Sequence, residues 1–158
     1  MAAQIAALGG ADVVVVEPID HRRAMASSLG ARTASSTADL TEKADVVLEC
    51  AGSEAAIASG VQVLRTGGQL TMIGVASGAI TIDPDLWLIR EVTVRTSLAH
   101  NAWDFDASIR LVDDGRLQLA PIADRTVTLD ELPAAFASLA DGTSGAVKVL
   151  VDPSESAA

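Results

Sequence analysis

Glu17 stands directly after the four-valine run Val13-Val14-Val15-Val16. A continuous β-branched run reads as a strand covered on both faces. In open parallel sheets, ligands bind outside the carboxyl ends of the strands. A carboxylate at that point can accept both hydroxyls of an adenosine ribose. It would repel a 2′-phosphate, which favours NAD over NADP. The plainer reading is a surface glutamate in a strand-to-helix turn. Ala51-Gly52, after Glu49-Cys50, and Gly74-Val75, after Ile73, mark two further strand ends. Glycine there lets a flat ring or a phosphate approach the backbone. Taken singly, each is also an ordinary turn glycine.

Other chemistry is not legible. The dinucleotide fingerprint is a strand followed by G-x-G-x-x-G opening a helix. Gly9-Gly10 instead closes a helical pattern, and Gly142-Thr143-Ser144-Gly145 precedes a strand. No backbone cradle for a pyrophosphate is therefore assigned. His21 and His100 lie far apart and neither belongs to a ligand-spaced pattern. The single Cys50 excludes an internal disulfide and a Cys-cluster zinc site, and it fits a reducing cytoplasm. At a strand end it reads as a semi-buried thiol. Trp87 and Trp103 read as packing residues, and Asp113-Asp114 and Glu42-Lys43 as solvated helix ends.

The elements that would position these residues alternate along the chain, the pattern of βαβ units and a parallel sheet. Strands are expected at Val13–Val16, Asp45–Cys50, Gln69–Ile73, Val92–Thr96 and Ala146–Val151. Helices are expected from Ala2 to Leu8, from Asp20 as N-cap to about Leu29, and from Ser53 up to Gly67-Gly68. Further helices are expected from Pro84 to about Arg90, from Asp104 to Asp114, and from about Asp130 to Ala140. Along the Ser53 helix, Ala56, Ile57, Gly60, Val61 and Leu64 share one face. Thr128 and Glu131 resemble a capping box, while Pro133 favours a start just after it.

Composition narrows the classes. The chain has 158 residues, 49 % of them hydrophobic and 20 % charged, which is globular composition for about one domain. Eleven Lys and Arg against 21 Asp and Glu give a net charge of −10. Nucleic acid and anionic membrane are poor partners for such a surface. No apolar run approaches the ~18 residues that suggest a membrane span. No basic stretch precedes the apolar Met1–Leu8, so no signal peptide is expected. The complete lack of Tyr excludes an intact short-chain dehydrogenase, which needs a catalytic Tyr with a nearby Lys.

In order along the chain, these segments resemble the coenzyme-binding domain of zinc-dependent medium-chain dehydrogenases, nearest to sorbitol, threonine and butanediol dehydrogenases. VVVVEPIDHRR (Val13–Arg23) is similar to the family's second strand with its ribose acid, and Leu29-Gly30-Ala31 follows it. ADVVLECAG (Ala44–Gly52) is similar to the fourth strand and its turn. LRTGGQLTMIG (Leu64–Gly74) resembles the approach to the fifth strand, and EVTVRTSLA (Glu91–Ala99) the sixth. Phe136–Val151 resembles the closing helix and last strand. The resemblance covers residues 1 to about 153.

The resemblance implies an α/β fold: a Rossmann-like parallel sheet with helices on both faces. It implies hydride transfer from a secondary alcohol or polyol to NAD. Glu17 would bind the adenosine ribose, and Arg22 would lie by the adenine or its ribose. Ala51 and Gly52 would line the adenine side. Gly74, Val75, Leu98 and Ala99 would offer backbone contacts to the nicotinamide end. Ile80-Thr81-Ile82 is similar to the short strand that pairs across the two-fold axis of family dimers; otherwise it reads as an edge strand.

The departures from the family are also legible. The preceding catalytic domain with its Cys, His and acidic zinc ligands has no counterpart here, so no metal site is expected. The first sheet strand and its glycine-rich turn are missing, and Met1–Leu8 matches the helix that follows them. Ala31–Lys43 is short for the family. The expectation is an incomplete dinucleotide-binding domain over residues 1–153 with a frayed tail at 154–158. Its strands at Val13 and Val46 would lack the central strand between them. Such a chain is not expected to catalyse alone. It reads either as part of a whole dehydrogenase or as a non-catalytic fragment that binds a nucleotide or is completed by a partner. A methyltransferase and a zinc-free quinone reductase are weaker readings. The former also needs a glycine-rich first strand, and the latter usually uses NADPH, against which Glu17 argues.

Overall fold

The computed structural model describes residues 1–76 and 78–154. In chain order the elements are α1 (Ala2–Leu8), β1 (Val14–Val16), α2 (Asp20–Ser28), β2 (Arg32–Ala34), β3 (Ala44–Glu49), α3 (Glu54–Val63) and β4 (Leu64–Met72). They continue with α4 (Pro84–Ile89), β5 (Thr93–Thr96), α5 (Ala102–Asp113), β6 (Arg125–Thr128), α6 (Leu132–Ala140) and β7 (Val149–Asp152). Short 3-10 turns lie at Thr37–Asp39 and Ala120–Ile122. The chain divides into two units, one of Met1–Thr33 with the residues from Asp106 onward, the other of Ala34–Phe105.

In the second unit, β3, β4 and β5 form a parallel sheet in that order. Its register aligns Glu49 with Met72 and Met72 with Thr96, so the three carboxyl ends finish level. Ser53 caps α3 by accepting the Ala56 N–H at 3.2 Å. Ile57, Gly60 and Val61 form the buried face of α3, at the spacing expected of one helical side. Ile57, Val61, Leu64 and Leu70 are the core, flanked by Val47, Met72, Ile80, Leu86, Trp87 and Val92. Burying each such aliphatic side chain contributes about 1.5–3 kcal/mol. Asp83 caps α4 through the Leu86 N–H, with Pro84 in the first turn where its missing N–H costs nothing.

In the first unit, β1 pairs with β2, and β6 pairs with β7 in parallel. The primary amide of Gln4 on α1 makes two bonds to the backbone of Gln118, donating at 3.1 Å and accepting at 2.9 Å. Asp124 accepts the Val147 and Lys148 N–H groups at 3.0 and 3.1 Å and so aligns the approach to β7. Thr128 and Glu131 do exchange reciprocal bonds, but these close a turn ahead of α6, whose first residue is Leu132.

The α/β character with parallel strands agrees with the sequence reading. So does the expected incompleteness: hydrogen bonding among the described residues divides the strands into three sheets, and β1 and β3 do not pair. Asp20 is not the cap of α2; Ile19 holds that position and Asp20 turns to Arg23 at 2.6 Å. Ile80-Thr81-Ile82 forms no strand pairing among the described residues; the Thr81 N–H goes to the Glu54 carboxylate at 3.0 Å. Trp87 packs on the core, whereas Trp103 is 70 % exposed and packs little. The last strand starts at Val149 instead of Ala146, and β2 and β6 are strands the sequence did not announce. Of the expected tail, Ser154 bonds back to Asp152, and residues 155–158 lie outside the described residues.

Candidate functional site

In the first unit, Glu17 follows β1 directly, as its position after the valine run predicts. Its Oε1 accepts the Ile19 N–H at 2.9 Å, which curls the chain toward α2. Its carbonyl accepts Arg23 Nη1 at 2.8 Å. Arg23 also bonds the Pro18 carbonyl and the Asp20 carboxylate, so it staples this turn from the first turns of α2. The staple reaches the Glu17 carbonyl and leaves the carboxylate free of an ion pair. Among the described residues, Oε2 of Glu17 has no hydrogen-bond donor. Arg22 is exposed and unpaired in the same sense. Sequence reasoning chose Arg22 and missed Arg23; adjacent arginines on a helix start give no signal as to which one faces back.

In the second unit, the level carboxyl ends of β3, β4 and β5 bring Ala51-Gly52, Gly74-Val75 and Leu98-Ala99 to one edge of the sheet. The two glycines serve each other. Gly52 adopts φ +68°, and a Cβ there would lie 2.4 Å from the Val75 carbonyl oxygen. A Cβ on Gly74 would lie 2.2 Å from the Gly52 nitrogen. Their small size is therefore used for backbone meeting backbone. Val75 is 80 % and Leu98 85 % exposed, so two apolar side chains stand uncovered at this edge. Ala99 holds φ +58°, a left-handed conformation uncommon outside glycine.

Glu49 was not singled out from sequence. It is 3 % exposed, and its Oε1 accepts the Ala51 and Gly52 N–H groups at 2.7 and 2.8 Å. Its Oε2 is buried without a partner among the described residues. Its carbonyl takes the Ile73 and Gly74 N–H groups at 2.8 and 2.9 Å. Cys50 is exposed as a residue, while its thiol is partly desolvated; that desolvation, with the nearby Glu49 charge, raises its pKa above the ordinary value. Charge repulsion and lost hydration both disfavour the thiolate, the opposite of an activated nucleophile. A hollow of about 320 Å³ is lined by Thr37, Leu40, Glu42, Lys43 and Gln62, none of them a residue predicted to bind coenzyme. Among the described residues, no group of three or more His, Cys, Asp or Glu could hold a metal ion, and no helix is long and apolar enough to cross a membrane.

Parallel strands, helical connections and turns gathered at a carboxyl edge define an α/β coenzyme-binding domain of Rossmann-like type. The chain belongs to the zinc-binding dehydrogenase family, whose family model matches residues 1–114. It is the coenzyme-binding part of that family's fold. It is 32 % identical to 2-dehydro-3-deoxy-L-galactonate 5-dehydrogenase of Pseudoalteromonas atlantica, over 96 % of this chain and 47 % of the relative. It is 27 % identical to L-arabinitol 4-dehydrogenase of Hypocrea jecorina, over 92 % of this chain and 43 % of the relative. Among solved structures, a zinc-binding dehydrogenase from Sinorhizobium meliloti bound to NADP superposes with a TM-score of 0.82. That pair is 27 % identical, over 96 % of this chain and 48 % of the other. The chain thus spans about half the length of the curated relatives it matches.

Proposed function

We propose that this chain is the coenzyme-binding part of an NAD-dependent alcohol or polyol dehydrogenase. Glu17 carries the reading. Its carboxylate is fixed through one oxygen and free at the other, which suits a ribose diol at the carboxyl end of β1. A carboxylate offers about four acceptor positions, so the bond to Ile19 leaves room for two hydroxyls. A 2′-phosphate at the same place would meet an unneutralised negative charge, hence NAD over NADP. Arg22, exposed beside it on α2, would lie by the adenine or its ribose.

In the other unit, Ala51 and Gly52 would line the adenine side, and Gly74, Val75, Leu98 and Ala99 would meet the nicotinamide end. The N–H groups of Ala51, Gly52 and Gly74 are already bonded to Glu49, so these turns contribute shape and carbonyl oxygens. The bare side chains of Val75 and Leu98 are suited to cover a flat ring. NAD, when bound, supplies the hydride acceptor. No role assigned to this chain runs through zinc. The reading includes a small secondary alcohol or polyol as substrate of the whole enzyme, a cytoplasmic location, and a homodimer formed through Ile80–Ile82.

A second reading has support of its own. Strands β1 and β3 each have one hydrogen-bonded neighbour. A non-catalytic nucleotide-binding chain, or one completed by a partner's strand, would fit that. Such a chain binds the nucleotide or the partner but transfers no hydride in any form, so assaying alcohol-dependent NAD reduction by the protein isolated from its native source separates the two.

Glu17→Ala tests the coenzyme assignment. Binding of NAD, followed by calorimetry or NMR titration, is expected to weaken by about 1–3 kcal/mol, roughly five- to 150-fold, the scale of lost charge-assisted hydrogen bonds. An unchanged affinity overturns the ribose role.

A further inference from the structure

We propose that Glu49 is a positioning residue that locks the turn after β3 to the turn after β4. It thereby fixes the backbone offered to the nicotinamide end of the coenzyme. The inference rests on the coenzyme reading above. One residue satisfies four backbone donors in two turns: its carboxylate holds Ala51 and Gly52, and its carbonyl holds Ile73 and Gly74. Burying a carboxylate is costly unless it is well bonded. Here one oxygen makes both side-chain bonds while Oε2 has no partner among the described residues. A buried group left half-satisfied calls for a reason. The reason offered is geometric.

Gly52 and Gly74 leave no slack, since neither site could hold a Cβ without striking the other turn's backbone within 2.4 Å. A shift of the Ala51-Gly52 turn must therefore shift Gly74, which the Glu49 carboxylate does not itself touch. A carboxylate acting only as a local turn cap would affect Ala51 and Gly52 and nothing beyond. Propagation to Gly74 separates the two roles.

The test compares the chain with its Glu49→Ala and Glu49→Gln variants by amide hydrogen exchange and by NMR titration with NAD. Glu49→Ala is expected to speed exchange about tenfold or more at Ala51, Gly52, Ile73 and Gly74, and to weaken NAD binding about tenfold. Glu49→Gln keeps an acceptor oxygen and is expected to restore protection at all four amides, with affinity within about threefold of the parent. Faster exchange confined to Ala51 and Gly52, with Gly74 protected and affinity unchanged, overturns the proposal. If Glu49→Ala does not fold, Glu49→Asp decides, because its shorter side chain pulls on the Ala51-Gly52 turn while keeping the charge: faster exchange that reaches Gly74 upholds the proposal, and faster exchange confined to Ala51 and Gly52 overturns it. If the parent's turns do not respond to NAD at all, the coenzyme reading of Gly52 and Gly74 fails. The positioning claim is then judged by exchange alone, upheld by spread to Gly74 and overturned by confinement.

Discussion

In the unit of Ala34–Phe105, β4 is hydrogen-bonded on both sides and runs for nine residues, with Leu64 and Leu70 fully buried along it. In the other unit, β1 has three residues, one partner strand, and no buried side chain. Both strands end in a turn assigned to coenzyme, yet the turns are held differently. The turn after β4 is fixed by close backbone packing against Gly52. The turn after β1 is fixed by local bonds, Glu17 to Ile19 and Arg23 to the Glu17 carbonyl. Two-stranded sheets are marginal on their own, whereas a three-stranded sheet with a covered apolar face can stand. Geometry is therefore set by packing in one unit and by polar staples in the other, and substitutions should act accordingly.

The largest effect is expected for Gly74→Ala. The new Cβ would sit 2.2 Å from the Gly52 nitrogen, a backbone atom that cannot step aside. A loss of about 4 kcal/mol or more is expected in urea unfolding, the range reserved for such clashes. A loss under about 1 kcal/mol would show that the turns are not interlocked. Next comes Leu70→Ala, which empties a fully buried site and should cost about 2–5 kcal/mol. The same denaturation curve on Val127→Ala, a site on β6 that is 3 % exposed, should show a smaller loss because two carbons leave instead of three. A loss for Val127→Ala as large as that for Leu70→Ala would contradict this.

Smaller again is Arg23→Ala, which removes the staple from the β1 turn. It is expected to reduce stability by about 1 kcal/mol, since its ion pair with Asp20 is on the surface and its carbonyl bonds carry most of the effect. The corresponding Arg22→Ala change should leave the melting curve where it is, Arg22 having no bond among the described residues.

The smallest effect is pH-dependent. Hydrogen bonds from the Val147 and Lys148 N–H groups hold the Asp124 carboxyl below its ordinary pKa. A carboxylate depressed in the folded state stabilises above its unfolded pKa and loses that contribution as pH falls through the folded one. The Tm gap between the parent and Asp124→Asn should therefore be a few degrees and constant near neutral pH. It should narrow only below the ordinary carboxylate range near pH 4. A gap that widens on acidification contradicts this.

The parts of the fold legible in sequence were those with apolar runs and cap chemistry. The valine run, the Ser53 start with its Ile57-Gly60-Val61 face, and Pro84 all led to the elements observed, whereas the Asp83 cap was seen only in the structure. Strands β2 and β6 stayed hidden because Arg32-Thr33-Ala34 and Arg125-Thr126-Val127-Thr128 carry too little hydrophobic pattern to stand out from loop. The place of Glu17 directly after β1 was legible because a run of β-branched residues marks the strand that it follows, while its role toward coenzyme rests on the proposal above. Glu49 was not, since nothing in sequence says that a strand-end glutamate turns inward. Glycine spacing likewise marked Gly52 and Gly74 without showing that each exists to admit the other.

The central claim is that Glu17 makes this a site for the adenosine of NAD. The most direct measurement is an NMR titration with 5′-AMP and with adenosine 2′,5′-bisphosphate, which carry the coenzyme's adenosine end without and with the 2′-phosphate. The account predicts that 5′-AMP shifts the amides of Glu17 to Arg23 and that the 2′-phosphorylated ligand binds there at least about tenfold more weakly, a difference of 1.4 kcal/mol. Equal or tighter binding of the bisphosphate, or no response of these amides to 5′-AMP, would contradict it.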